Sequence, residues 1–250
     1  MIESPLFWAA AVFATLITGI SKGGFGGLAL FAVPIMALFI SPIQAAGILL
    51  PILIVMDWVS VWSYRKTWNM ALLKITIPGA IVGIAVGGLL AGYVDERVVR
   101  LCVGVVAILF PIYAVGSSVF KWTPGAGVRG NKPLGAFAGA VAGFTSFIAH
   151  AGGPPFQAYA IPQGLEKRVY AGTAVMFFFV VNFVKLIPYA ALGQFDATNL
   201  KISAILIPLG PIGVLLGVWL VKRIDQKIFY RIIYALIFLT GCKLLSDGLI

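Results

Sequence analysis

Residues 19–27 read Gly-Ile-Ser-Lys-Gly-Gly-Phe-Gly-Gly, and this glycine-rich stretch decides how the chain can fold. It lies between two apolar runs, 6–20 and 25–40, that are shorter than the roughly 20 residues a helix needs to cross the apolar core of a bilayer. A second break, His-Ala-Gly-Gly-Pro-Pro at 150–155, also separates two short apolar runs. Short apolar runs joined at glycines predict two hairpins, each with its tip at the break.

The composition places the whole chain in a membrane. Hydrophobic residues make up 61% of its 250 residues, charged residues 10%, and the mean hydropathy is +1.04. Soluble domains have about 45–50% apolar and about 25% charged residues. We therefore predict an all-α integral membrane protein of 8–10 helices, counting broken or re-entrant hairpins, in contact with the lipid bilayer. The ten apolar runs are 6–20, 25–40, 43–63, 71–92, 98–120, 133–149, 154–164, 169–191, 200–221 and 228–247.

Other classes of protein fit the sequence poorly. The net charge of +10 comes from short basic clusters between apolar runs, which is typical of orientation signals and not of nucleic-acid binding. No basic region precedes the first apolar run, so no cleavable signal peptide is predicted. There is one histidine, no phosphate-binding loop and no clustered metal-ligand pattern, so we expect neither an enzyme nor a cofactor or metal site. Cys102 and Cys242 lie inside apolar runs and are expected to be buried thiols.

The two halves of the chain share one plan. Lys22 of the first break aligns with His150 of the second at an offset of 128, and a block around Pro78 recurs 130 residues later. This predicts two transmembrane repeats, 1–125 and 126–250, in one membrane domain. Each repeat contains five of the ten apolar runs. If the first two runs form a hairpin that does not cross the membrane, the repeat makes an odd number of crossings. The second repeat then starts from the other side of the membrane and is inverted relative to the first.

The basic residues support this topology. With hairpins, the loops on one face carry 12 basic residues and those on the other carry 4. By the positive-inside rule the richer face is cytoplasmic, and both termini are then periplasmic. The richer set is Arg65, Lys66, Lys74, Lys121, Arg129, Lys132, Lys167, Arg168, Lys222, Arg223, Lys227 and Arg231, and the poorer set is Arg97, Arg100, Lys201 and Lys243.

The hairpin tips are the first candidate site. Glycines let backbone N–H groups approach a ligand, and the helix after each tip would present its positive dipole end, so two converging tips predict an anion site. The alternative is that these glycines serve only close helix packing. The candidate substrate ligands at the tips are Ser21, Lys22, Gly23, Gly24, Gly26, His150, Gly152 and Gly153.

Three polar residues inside long apolar runs are further candidates. Asp57 and Lys185 are ionisable groups within predicted spans, where such groups usually have a function. Asp57 is a candidate proton-coupling group, as is His150, and Asp57 and Lys185 could form an ion pair. Lys185 is a candidate substrate ligand, unless it extends to the outer interface. Asn182 could contact substrate or join helices.

This pattern resembles the sulfite exporter TauE/SafE family over nearly the whole chain. The residues that carry the resemblance are the stretch 19–27, the segment 139–155, Ile77-Pro78-Gly79-Ala80 with Gly83, and the run Asn182, Lys185, Pro188-Tyr189, Gly193-Gln194-Phe195-Asp196. The resemblance implies a secondary transporter of sulfite, sulfonates or related small anions in a bacterial inner membrane. Phe25 interrupts the glycine run that the family usually has in the first tip, and Pro154-Pro155 shorten the second.

The sequence therefore predicts alternating-access export of a small oxyanion, sulfite or an organosulfonate, held between the tips. Three alternatives remain open: a passive anion channel with the same lining, a carrier of small carboxylates, and a membrane scaffold without flux. The scaffold accounts for packing glycines but not for buried charges. The partners expected are the small anion and the lipid bilayer, with no nucleic acid. The oligomeric state is open.

Overall fold

The computed structural model describes residues 4–40, 42–90, 93–119, 127–149, 151–191 and 197–249. Within these ranges the chain is helical and contains no strand, and each predicted apolar run contains helix, which confirms the all-α fold. The α-helices are α1 (Pro5–Lys22), α2 (Ala32–Ala37), α3 (Pro42–Tyr64), α4 (Met70–Leu90), α5 (Glu96–Val119), α6 (Lys132–Ala149), α7 (Gly153–Ala160), α8 (Lys167–Ala191), α9 (Ala197–Leu206), α10 (Leu209–Arg223) and α11 (Gln226–Leu249). Two 3-10 helices, Leu28–Phe31 and Ile161–Gln163, precede α2 and follow α7.

Six of these helices are long and apolar enough to span a membrane: α1, α4, α5, α6, α8 and α11. A seventh span results if α9 and α10, which are bent by 44° relative to each other, cross together. Pro208 stands at this bend, where its missing N–H interrupts the helical hydrogen bonds. Large apolar side chains such as Leu89 and Leu109 are exposed on the helix surfaces. The chain is therefore a multi-pass membrane protein.

Both predicted hairpins turn back on themselves. Near the start of α1, the Phe7 ring lies 6.4 Å from the Phe39 ring just after α2, so the two arms of the first hairpin begin and end together. In the second, the Gln163 side chain accepts a hydrogen bond from Gly130 N at 3.0 Å and donates one to Val128 O at 3.2 Å. The end of the second hairpin is thereby held beside the start of α6.

The two hairpins point in opposite directions. The basic loops before α8 and α11 lie together, since Lys167 Nζ donates to Ile224 O. The tip of the first hairpin points to this basic face, because a Cβ on Gly24 would lie 2.9 Å from Val221 and 3.0 Å from Ala171, close to those loops. The second hairpin has its open ends at the same face. This opposition is the one that an inverted repeat predicts, although the repeat itself stays a prediction.

Glycines bring three pairs of helices into close contact. A Cβ on Gly83 of α4 would overlap the Ala140 carbonyl of α6, and one on Gly143 of α6 would overlap the Ala80 carbonyl of α4. In the α1 and α10 pair, a Cβ on Gly19 would lie 2.7 Å from the backbone of α10. In the α5 and α11 pair side chains are the nearest atoms, since a Cβ on Gly241 would lie 2.7 Å from the Ile108 side chain and 3.0 Å from the Gly104 carbonyl oxygen. Small residues therefore hold the bundle together, as is usual where lipid removes the hydrophobic drive for helix association.

The prediction of buried thiols is wrong. Cys102 on α5 and Cys242 on α11 are free and exposed. An apolar run in a membrane protein has a lipid-facing side as well as an interior side, so its hydrophobicity alone does not locate a residue in the core. Both thiols lie on the exposed side of their helices.

Candidate functional site

Lys22 and Asp57 form an ion pair inside the helix bundle. Lys22 is the last residue of α1, and its Nζ lies 2.5 Å from Asp57 Oδ1, about two turns inside the end of α3. The side chains are only 14% and 5% exposed. Lys22 is therefore not a loop charge at a membrane face. The sequence placed both residues among the candidates but did not predict that they pair.

Asn182 of α8 joins the same pair. Its Nδ2 donates to Asp57 Oδ2 at 2.9 Å, so each carboxylate oxygen has a donor from a different helix. Asp57 thus connects α1, α3 and α8. Joining helices was one of the two roles predicted for Asn182. The hydrogen bond also places the Asn182 amide directly beside the charged groups of Asp57 and Lys22.

Lys185 lies one turn further along α8, and its side chain points inward. The residue is 5% exposed, and Nζ donates to Ser146 O at 2.7 Å and to Ser146 Oγ at 3.4 Å on α6. It interacts electrostatically with both Lys22 and Asp57. The alternative in which Lys185 extends to the outer interface is wrong, because the lysine is held by a buried carbonyl. The ion pair at Asp57 is formed by Lys22.

The first tip is shaped by two glycines that no other residue could replace without strain. Gly24 and Gly27 have φ angles of +129° and +111°, which residues with a Cβ rarely adopt. The buried Tyr64 hydroxyl at the end of α3 donates to Gly23 O at 2.7 Å and anchors the tip. This hydrogen bond holds the end of α1 where the Lys22 side chain reaches Asp57.

Gln157 connects the two tips and was not among the predicted site residues. This residue of α7 is 5% exposed, and its Nε2 lies 3.2 Å from the position of a Cβ on Gly26 in the first tip. Its Oε1 lies 3.8 Å from the corresponding position on Gly153 in the second tip. A signal was present in the sequence, since Gln157 is a polar residue in the short apolar run 154–164.

The helices that follow the tips differ from each other. After the second tip the predicted α-helix is present, since α7 begins at Gly153, with prolines in its first turn. After the first tip comes a 3-10 turn, Leu28–Phe31, and then the six-residue α2. The expectation of two equivalent α-helix dipole ends is therefore wrong for the first tip, where the strained Gly27 leads into the 3-10 turn. His150, the other predicted ligand of the second tip, lies outside the described residues.

Some tip glycines have a packing role. A Cβ on Gly23 would lie 2.6 Å from Val214 O, and one on Gly152 would lie 2.5 Å from Ala142 O. These two glycines are required by close packing, whatever else they contact. Gly26 and Gly153 are less constrained, because the nearest atoms to a Cβ there belong to the end of the Gln157 side chain. Ser21 is buried beside Lys22.

The comparison with known families covers every element of this site. Residues 11–244 match the family described as sulfite exporter TauE/SafE. No curated protein and no solved structure matches the chain. The matched range includes both tips, Asp57, Asn182 and Lys185, and almost all of the helical bundle. The chain belongs to the sulfite exporter TauE/SafE family, whose members are membrane transporters of sulfite or related anions.

Proposed function

We propose that the protein is a secondary transporter that exports a small oxyanion, sulfite or an organosulfonate, from a bacterial cell through the inner membrane. The observation that carries the proposal is the cluster of Lys22, Asp57, Asn182 and Lys185 in the bundle interior. Buried charges in a membrane are costly and are usually retained for transport of ions or protons. A scaffold without flux would not need them.

The charges of the cluster favour an anion. With their ordinary charges, Lys22, Asp57 and Lys185 sum to one positive charge in a region from which water is largely excluded. An oxyanion would balance this charge and could accept hydrogen bonds from both lysines, from Asn182 and from Gln157. Ser21, Gly24 and the two less constrained glycines, Gly26 and Gly153, are further candidate ligands from the tips, as is His150.

Asp57 links anion binding to protons in this scheme. The carboxylate and an incoming anion compete for Lys22, so protonation of Asp57 releases the ammonium group for substrate. Anion binding therefore favours proton uptake at Asp57, and loss of the anion favours proton release. The opposed hairpins support alternating access around the cluster, with 1–125 and 126–250 as inverted repeats and both termini periplasmic.

The function is tested by uptake into proteoliposomes of sulfite, sulfoacetate, taurine and simple carboxylates. We expect saturable uptake of sulfite or a sulfonate that falls when an uncoupler dissipates the proton gradient. Large unitary currents would indicate a passive channel instead. Preference for carboxylates would identify the protein as a carrier of small carboxylates. Absence of flux for the whole panel would contradict the proposal.

Replacing Asp57 by asparagine should uncouple transport from protons. The amide keeps an oxygen for one of the two donors, Lys22 or Asn182, but cannot exchange a proton, so anion exchange should continue while gradient-driven accumulation is lost. Counterflow and accumulation assays on the same proteoliposomes measure the two separately. The control is Asp247→Asn, which removes a carboxylate paired with Lys243 and Arg100 far from the cluster. Accumulation by Asp57→Asn at the wild-type level would exclude Asp57 as the coupling group.

A further inference from the structure

A cleft opens on the basic face, between α11 and the turn that leads from the Ile161–Gln163 helix into α8. Its volume is about 450 Å³. Its walls include Leu165 on one side and Lys227, Tyr230, Arg231 and Tyr234 on α11. No part of the buried cluster lines it, so it is a separate feature of the molecule.

The cleft has an excess of positive charge. The two charged side chains in its lining, Lys227 and Arg231, are both basic and exposed. The Arg129 guanidinium lies beside the same turn, 3.9 Å from the position of a Cβ on Gly164. The nearest carboxylates, Asp225 and Glu166, accept hydrogen bonds from backbone N–H groups at the starts of α11 and α8, at 2.7 and 3.1 Å. Such a surface attracts small anions and can donate charge-assisted hydrogen bonds to them.

Four aromatic rings connect the cleft to the first hairpin tip. Tyr230 packs on Phe229 at 5.3 Å and on Tyr170 at 5.6 Å, and Phe229 packs on Phe25 at 5.7 Å. Tyr170 and Phe229 are also 5.9 Å apart. Phe25, Tyr170 and Phe229 are buried. We call these four residues the aromatic layer.

The aromatic layer lies between the cleft and the first hairpin tip, which carries Lys22. Tyr230 forms part of the cleft wall, and its hydroxyl donates to Leu165 O at 2.6 Å, which closes that side. At the other end, Phe25 is three residues after Lys22 in the same tip. A hydrated or charged anion cannot pass through packed rings without losing its solvation. An anion that enters from the cleft would therefore reach the first tip only after the rings separate.

We propose that the cleft is where a small oxyanion first binds on the basic face, and that the aromatic layer is the closed gate between this binding site and the cluster. This inference rests on the proposed transport function. Because Phe25 belongs to the first hairpin and Phe229 to α11, the gate opens when the hairpin tip moves away from α11. The movement that breaks the ring contacts also shifts Lys22, so opening of the gate and entry of the anion into the cluster are linked.

The gate is tested by thiol labelling, which needs no transport. In a Cys102→Ser/Cys242→Ser background, Ser21→Cys places a thiol in the tip behind the aromatic layer, and an impermeant anionic methanethiosulfonate is applied to each face of membrane vesicles. Lys66→Cys, in an exposed loop, identifies the basic face. We expect Phe229→Ala, and more weakly Phe229→Leu, to raise labelling of the tip from the basic face by about tenfold or more.

A matched control separates gating from general loosening. Phe7 is as completely buried as Phe229 but lies at the opposite face, so Phe7→Ala has a similar packing cost. It should leave labelling from the basic face unchanged. Equal labelling of all variants, or equal increases in Phe7→Ala and Phe229→Ala, would overturn the gate.

The binding site is tested by kinetics from the basic face. Lys227→Gln/Arg231→Gln should raise the KM for the transported anion about tenfold and leave the maximal rate unchanged, since these exposed residues are remote from the cluster. Lys222→Gln/Arg223→Gln removes the same charge from the same face outside the cleft lining. Equal KM values for the two double variants would show that the effect comes from the general surface potential of this face. That result would overturn the cleft as a binding site. Absence of saturable uptake by the unmodified protein would contradict the proposed function, whereas the labelling result would still decide the gate.

Discussion

Replacing Lys22 by methionine should reduce anion transport at least about 100-fold and also destabilise the protein. Methionine keeps the length of the side chain but leaves the buried Asp57 carboxylate without its cation. Removal of one partner of a buried ion pair typically costs about 3–5 kcal/mol. Initial rates of uptake and thermal melting in detergent measure the two effects. The exposed Lys201→Met is the control and should change neither.

The double variant Lys22→Met/Asp57→Asn separates the two roles of the lysine. It removes both charges together, so stability should return close to that of the unmodified protein. Transport should stay lost, because the substrate still lacks its cation. Recovery of transport together with stability would show that Lys22 serves only to neutralise Asp57, and the anion site would have to be placed elsewhere.

Replacing Gly83 by alanine should be among the most damaging changes that a single methyl group can make in this chain. The added Cβ would overlap the Ala140 backbone carbonyl, which cannot move as a side chain would. α4 and α6 would have to separate along their whole contact, at a cost of about 3 kcal/mol or more. We expect a loss of folded protein in size-exclusion chromatography and a lower melting temperature.

Gly88→Ala is the matched control for this change. It lies in the same helix, but its Cβ would meet only the edge of the Phe147 ring, at an ordinary distance of 3.9 Å. Alanine is also the better helix former by roughly 0.5–1 kcal/mol, so this variant should be neutral or slightly stabilised. Equal losses for Gly83→Ala and Gly88→Ala would mean that contact between α4 and α6 does not limit stability.

The fold was largely predictable because its signals are local. Apolar runs and glycine breaks each depend on neighbouring residues, and they correctly indicated helices and hairpins. The thiols show the limit of this approach, since hydropathy does not distinguish the lipid-facing side of Cys102 from the interior. The 3-10 turn after Gly27 depends on a backbone angle that composition does not report.

The candidate site was predictable as a set of residues but not as a set of contacts. Lys22, Asp57, Asn182 and Lys185 stood out because polar groups are rare in such runs. Which of them pair depends on how α1, α3 and α8 cross, so the sequence indicated Asp57 and Lys185 as a possible ion pair, whereas in the structure Asp57 pairs with Lys22. Gln157 was missed because its importance comes from its position between two tips that only the tertiary structure brings together.

The close-packed helix pairs determine which parts of the bundle can move. α1 with α10, α4 with α6 and α5 with α11 each join a helix from 1–125 to one from 126–250 through close contacts at glycines. The two halves of the chain are thus intertwined and cannot rock against each other as separate bodies. Any rocking unit must be a composite of both halves. Neither half buries its glycine surfaces when alone, so a functional bundle forms only after the last helix has been inserted.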